Sequence, residues 1–443
     1  MEPVTIGALS VAAIFVLILL GFHIGVALAT VSFAGAYLIT GKFRVAVSML
    51  QQTAYSAIND YVFAVIPLFV LMGLFATQAG ATRDLFDSAE AMMRRVRGGL
   101  GVATVMANAI FAAITGVSVA SAAVFSKLAV PEMDRLGYNR KFGLGIVGSS
   151  ALLGMLIPPS ILMIVYGVIT EESIGKLFAA GIGPGLVVCG VLIATIFIWV
   201  RIDPSVVGKE GQAEINAAAR GDTSRLSAIL KLWPIVSLIG LVLGGIYGGW
   251  FTPTEAGAVG ALGALILMII RRRFSLSSTW RMLLETGQSV ASIFFLLITA
   301  QMYSRMLTLS KLPDTLTQWA AHLDVPGVVI LLAFLVILLV LGCIIDSVSI
   351  MLLTLPIMVP IAMQFGYDKI WFGMIAIITI ELGLLTPPFG MVVFAMKASL
   401  PNDVSVQEIF MGVTPFFIAL LIALAIIITF PQVSLFLPKL LIG

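Results

Sequence analysis

Long apolar runs alternate with short polar connections from one end of the chain to the other. A helix that crosses a bilayer needs about 20 mostly apolar residues. Full spans are predicted at 4–20, 24–39, 61–79, 142–168, 177–200, 232–250, 254–270, 292–309, 371–396 and 412–430. Two further stretches, 99–133 and 326–363, are too long for one crossing and too interrupted for two. Each has a polar, small-residue centre: Thr115-Gly116-Val117-Ser118 in the first, Asp346-Ser347-Val348-Ser349 in the second. Both are predicted to be re-entrant helical hairpins. Non-helical backbone at membrane depth survives only where protein or a water-filled cavity satisfies its polar groups. Amphipathic stretches at 42–58 and 274–290 precede the hairpins, as interfacial arms or as ordinary connecting helices.

The two interrupted regions are spelled alike at an offset of 229 residues. Ser118-Val119 matches Ser347-Val348, Val130-Pro131 matches Val359-Pro360, and Gly137-Tyr138 matches Gly366-Tyr367. Gly154 then matches Gly383, and Pro158-Pro159 matches Pro387-Pro388, with no gap. Paired Gly/Pro interruptions in corresponding hydrophobic segments point to the binding site of a repeat-built transporter. At a hairpin tip two half-helices leave backbone N–H and C=O groups unsatisfied. Their N-termini attract anions, while freed carbonyls suit a hard cation such as sodium. Ser118, Asp346 and Ser347 are placed to cap the second halves of the hairpins. The facing partners are the breaks at 154–159 and 383–388, where proline removes a backbone donor and frees nearby carbonyls.

Composition and charge sharpen this picture. Sixty per cent hydrophobic and 11 per cent charged residues, with a mean hydropathy of +1.12, exclude an ordinary soluble enzyme. With both hairpins re-entrant and the N-terminus outside, the loops at 80–98, 134–141, 201–231, 271–281 and 397–403 fall inside. They hold 17 of the 25 Lys and Arg residues, as the positive-inside rule asks. The hairpins then open to opposite sides, giving an inverted repeat of 1–231, ending in a connecting loop at 201–231, and 232–443. Met1-Glu2-Pro3 puts no basic residue ahead of the first span, so a retained helix is expected rather than a cleaved signal. Cys189 and Cys343 lie in apolar runs and form neither a disulfide framework nor a metal spacing. Four ionisable residues sit within apolar stretches: Lys127, Arg305, Asp346 and Glu381. A charge at the bilayer centre costs about 2.5–3.5 kcal/mol on insertion scales, so each needs a reason to persist. Asp346 is the foremost candidate because it sits at an interrupted tip. Arg305 suits a carboxylate clamp or a snorkelling residue. Glu381 fits coupling or a helix–helix hydrogen bond. No nucleophile–base pair argues for an intramembrane enzyme.

Several strings resemble the large membrane subunit, of the DctM type, of tripartite ATP-independent periplasmic (TRAP) transporters. They are IPLFVLMG from Ile66, GGLGVATVMANAIFAAITGVSVASAA from Gly98, VPEMDRLGYNRKF from Val130 and GMLIPPSILMIVYG from Gly154. YGGWFTPTEAGAV from Tyr247 and LLTPPFGMVVFAMK from Leu384 extend the match over nearly the whole chain. The resemblance implies an all-α polytopic inner-membrane carrier of the elevator type, powered by two or more sodium ions rather than ATP. It implies uptake of an organic acid from a periplasmic substrate-binding protein, beside a small four-helix membrane subunit on a separate chain. Membrane lipids are its surroundings, and no nucleic acid is expected. Carried over residue by residue, it implicates Gly116, Ser118, Gly154 and Pro158 in one sodium site. The resemblance likewise implicates Asp346, Ser347, Gly383 and Thr386 in the other. Arg305, Ser118, Asp346 and Ser160 are the corresponding substrate candidates. The first tip reads TGVSVAS where the family commonly shows consecutive serines, which leaves its ligand set open. A stand-alone sodium–carboxylate symporter and a purely structural subunit are the rival readings.

Overall fold

The computed structural model describes residues 2–59, 61–208, 231–322 and 325–442. Most of the expected connecting loop, 209–230, lies outside them. Among the described residues the fold is helical throughout, without strands. The first hairpin consists of Gly99–Thr115 and Ser118–Arg135 joined by Gly116-Val117. The second consists of Gly327–Gly342 and Ser347–Gln364 joined by 343–346.

The repeated Gly-Tyr pair explains how each hairpin ends. Gly137 and Gly366 take φ of +73° and +78°, a conformation that side chains with a Cβ rarely adopt. The following Tyr138 and Tyr367 then donate their N–H groups back to the Met133 and Ala362 carbonyls, at 2.9 and 3.1 Å. This Schellman arrangement satisfies orphan carbonyls at the helix end. The next residue starts the next helix. Asn139 accepts from the N–H groups of Lys141 and Phe142, and Asp368 from that of Trp371. Six residues thus turn the chain twice.

The helices that follow are both broken. Arg140–Ala151 and Leu153–Leu156 give way at 157–160 to Ile161–Thr170. Lys369–Gly383 gives way at 384–390 to Met391–Ser399. Pro158-Pro159 and Pro387-Pro388 are cis in both breaks. Packing crosses the two halves. The first hairpin lies on Arg140–Ala151 and on Met391–Ser399; the second lies on Lys369–Gly383 and on Ile161–Thr170. Ile174–Ile202 and Val406–Thr429 flank this core. A second group packs mainly on itself: Pro3–Leu19, Ile24–Thr40, Phe43–Ile58, Val65–Gln78, Pro253–Ile270 and Leu276–Ser310.

Among the described residues seven helices, counting Arg140–Thr170 as one, are long and apolar enough to cross a membrane, and one of them, Ser347–Gln364, is the second leg of the second hairpin. Pro3–Leu19, Ile24–Thr40 and Trp233–Tyr247 are shorter, and the break divides 369–399 into two short helices. One expectation is corrected: the stretches 274–290 and 292–309, read as an arm and a separate span, form one continuous helix, Leu276–Ser310, of 35 residues. No turn chemistry separates them, whereas a 3-10 turn at Tyr61–Ala64 divides the first-half counterpart. Outer faces carry exposed Ile198, Leu262, Ile266, Ile418 and Ile422, as a lipid-facing surface requires.

Candidate functional site

Each hairpin tip meets the helix break of its own half through glycine. Gly116 ends the first leg at φ +65°, and a Cβ there would lie 2.5 Å from the Pro159 carbonyl oxygen. Gly154 faces it: its Cβ would stand 2.9 Å from both Ser118 Cα and the Val117 oxygen. The Ile161 N–H points to the Gly116 carbonyl at 3.4 Å. Ser160 begins the second half of the broken helix, accepting from the Met163 N–H at 3.4 Å while its hydroxyl donates to the Met155 carbonyl. Gly116, Ser118, Gly154, Pro158 and Ser160 therefore gather around one junction. Ser118 is fully buried there, and its hydroxyl has no hydrogen-bond partner.

The second junction is built differently. Gly383 and Gly342 touch backbone to backbone: a Cβ on either would lie 2.5–2.6 Å from the other's Cα. Thr386 donates its hydroxyl to the Leu382 carbonyl at 2.9 Å and stands beside the Cys343 thiol. Asp346 caps the second leg, its Oδ1 accepting from the Ser349 N–H at 3.0 Å and its Oδ2 from the Ser349 hydroxyl. Both of its oxygens are engaged. Pro387, Pro388 and Phe389 are exposed, whereas Pro158 and Pro159 are buried. Arg305 lies on Leu276–Ser310, exposed, its guanidinium donating at 3.4 Å to Ser56 on the arm Phe43–Ile58. Lys127 is exposed on the second leg of the first hairpin.

Glu381 joins the junctions. It lies two residues before Gly383, is 1 % exposed, and faces the hydroxyls of both Ser118 and Ser347. Neither hydroxyl is hydrogen-bonded to it. Both carboxylate oxygens and the Ser118 hydroxyl therefore remain unpaired. Such a cluster of oxygens between two half-helix ends suits a small hard cation better than a soft metal.

Residues 11–433 match the family described as "Tripartite ATP-independent periplasmic transporter, DctM component". The chain belongs to the DctM family. It is 36% identical over 389 residues to the C4-dicarboxylate TRAP transporter large permease protein DctM of Pseudomonas aeruginosa, covering 86% of this chain and 87% of that one. It is 31% identical over 400 residues to the sialic acid TRAP transporter large permease protein SiaM of Vibrio cholerae, covering 90% and 91%. The ectoine TRAP transporter large permease protein TeaC of Halomonas elongata is 30% identical over 428 residues, covering 96% and 97%. Among solved structures, the YdaH transporter of Alcanivorax borkumensis has the same fold, with a TM-score of 0.60 at 16% identity over 87% of this chain and 89% of that one. This DctM chain is thus a multi-pass inner-membrane transporter subunit, not an enzyme.

Two features of this DctM chain escaped the sequence. Glu381 was visible as a carboxylate in an apolar run, but nothing in the spelling told which hydroxyls it meets. The FTPTEA string carries a capping box: Thr252 Oγ1 accepts from the Glu255 N–H at 3.3 Å, and Glu255 accepts from the Thr252 N–H at 2.8 Å. That string starts the helix Pro253–Ile270.

Proposed function

We propose that this DctM chain performs sodium-driven, elevator-type uptake of a small organic acid. The acid is handed over by a periplasmic substrate-binding protein, and a small four-helix membrane subunit stands beside the chain as a separate partner. The observation that carries this reading is the buried, unpartnered Ser118 hydroxyl, pressed by Gly116 and Gly154 against a helix break. A sodium ion there takes the Ser118 oxygen and freed backbone carbonyls around Gly116, Gly154 and Pro158. A second takes oxygens near Ser347, Gly383 and Thr386, with Asp346 setting the tip by capping it. The acidic cargo lies between the tips, near Ser160, and Arg305 meets its carboxylate from the arm side. Support for the acid comes from relatives named for C4-dicarboxylates and sialic acid.

Two groups of helices, one holding hairpins and breaks and one packing mainly on itself, supply a moving and a static part. Sodium supplies enough work. Each ion entering across about 100 mV gains roughly 2.3 kcal/mol, and a tenfold gradient adds about 1.4 kcal/mol. Two ions give roughly 7 kcal/mol, from which each negative charge carried inward by the acid subtracts roughly 2.3 kcal/mol, leaving about 5 kcal/mol for a monoanion, or a concentration ratio of several thousandfold. The test is uptake in proteoliposomes containing both membrane subunits and the binding protein. Uptake should vanish without a sodium gradient, and Ser118→Ala should raise the half-saturating sodium concentration about tenfold or abolish uptake. Undiminished uptake in sodium-free buffer would refute the reading.

A further inference from the structure

Glu381 is the feature of the core that the two sodium sites do not account for. A buried carboxylate without partners is costly, so it persists where something offsets its charge. Here the second legs of both hairpins begin at the residues it faces, Ser118 and Ser347. The N-terminal ends of those 18-residue helices favour a negative charge. The hydroxyls add a second constraint. Serine carries one proton and two lone pairs, so a serine that binds a cation through oxygen must send its proton elsewhere. A carboxylate has two acceptor oxygens and can take both protons at once. Each serine hydroxyl has one side-chain torsion, χ1, about which to turn its proton. Outer carboxylates that orient and strengthen a ligand in this way are a general feature of cation sites.

We propose that Glu381 is a positioning residue that couples the two cation sites, accepting the Ser118 and Ser347 hydroxyl protons together so that their lone pairs turn toward the ions. This rests on the sodium reading above. Cation binding at one tip draws the carboxylate into register, and the other serine then finds its acceptor already placed. The two halves load as a unit. Glutamine keeps the size of glutamate but offers one acceptor oxygen and an NH₂ donor. Glu381→Gln therefore orients only one of the two hydroxyls.

The experiment titrates sodium against the purified chain with its small subunit, read by intrinsic fluorescence of the six tryptophans. Wild type should respond with a Hill coefficient of about 2 and Glu381→Gln with one of about 1, at an unchanged sodium-free melting temperature. A wild-type coefficient of about 1, or a variant coefficient equal to that of wild type, overturns the inference while leaving the sodium reading intact. No response to sodium in wild type sinks the sodium reading itself. If Glu381→Gln does not fold, Ser118→Ala, Ser347→Ala and the double variant decide. Coupling through Glu381 makes the double variant's shift in sodium midpoint depart more than about twofold from the product of the single shifts. A product within about twofold overturns the proposal.

Discussion

Glycine at 154 does a job that no other side chain can do. The space a Cβ would need is filled by the backbone of Val117 and Ser118 rather than by the end of a flexible side chain. Gly154→Ala must push the first hairpin tip off its helix break. Overpacking of this kind costs about 1–3 kcal/mol, and the displacement also carries the Ser118 hydroxyl away. Uptake should fall about tenfold or more in Gly154→Ala, while Gly240→Ala, with nothing within 4 Å of its Cβ, should match wild type. Paired measurements of uptake and melting temperature check this. Asp346 is a different kind of residue. Its charge sits at the tip as expected, but both oxygens hold the first turn of Ser347–Gln364, so it shapes the site through the backbone.

Elements from the two halves are tied together by a few directed bonds. Tyr166, on Ile161–Thr170, donates to the Lys369 carbonyl at 2.6 Å, and Lys369 Nζ donates to the Thr170 carbonyl at 3.0 Å. At the other end Arg140 bridges Asp134, 3.0 Å away, and Asp403, 2.7 Å away. That guanidinium joins the exit of the first hairpin to the connection after the second broken helix. Its hydrogen bond to Asp403 holds this carboxyl below the ordinary aspartate range. A carboxyl depressed in the folded state adds stability above its unfolded value of about 3.9. That contribution is lost as pH falls through the folded value. Asp403→Asn should therefore lower the melting temperature at pH 7, and the gap to wild type should close as the pH drops below about 4. Melting curves across that range decide it; a gap that persists in acid contradicts the role assigned to the pair. The link is exposed and screened by salt, so its effect is small beside that of Gly154.

The molecule as a whole is organised by which surfaces meet lipid, water and the pocket. Apolar side chains cover the outer helices, while the unpaired Glu381 carboxylate and the unpaired Ser118 hydroxyl, one from each half, are buried. The basic loops contain Arg95 and the Arg271-Arg272-Arg273 cluster, and Arg271 also pairs with Asp84. Their placement predicts one orientation. In a background with Cys189 and Cys343 replaced, Arg95→Cys should react with a membrane-impermeant maleimide only in inverted vesicles. Thr315→Cys should react only in intact cells stripped of the outer membrane. Labelling of both from the same side would overturn the proposed topology.

Much of the helical framework was legible because it depends on local chemistry. Gly137, Gly366, Asn139 and Asp368 stop and start helices through backbone conformations and caps formed within a few residues. Pro158-Pro159 and Pro387-Pro388 interrupt a helix whatever surrounds them. Apolar run length told which segments suit a bilayer, though not that 276–310 would form one unbroken helix. The meeting of Glu381 with Ser118 and Ser347 was not legible, because those residues lie far apart in the chain and only packing between the halves brings them together. The same holds for Arg305, whose 3.4 Å contact with Ser56 on the arm Phe43–Ile58 nothing in the spelling foretold. Sequence alone determined where most helices break and end, at Gly-Tyr turns and Pro-Pro pairs, since those signals are short-ranged. Only the tertiary structure decided which polar atoms face one another in the dry core, where each unpaired group must be matched by a partner from another helix.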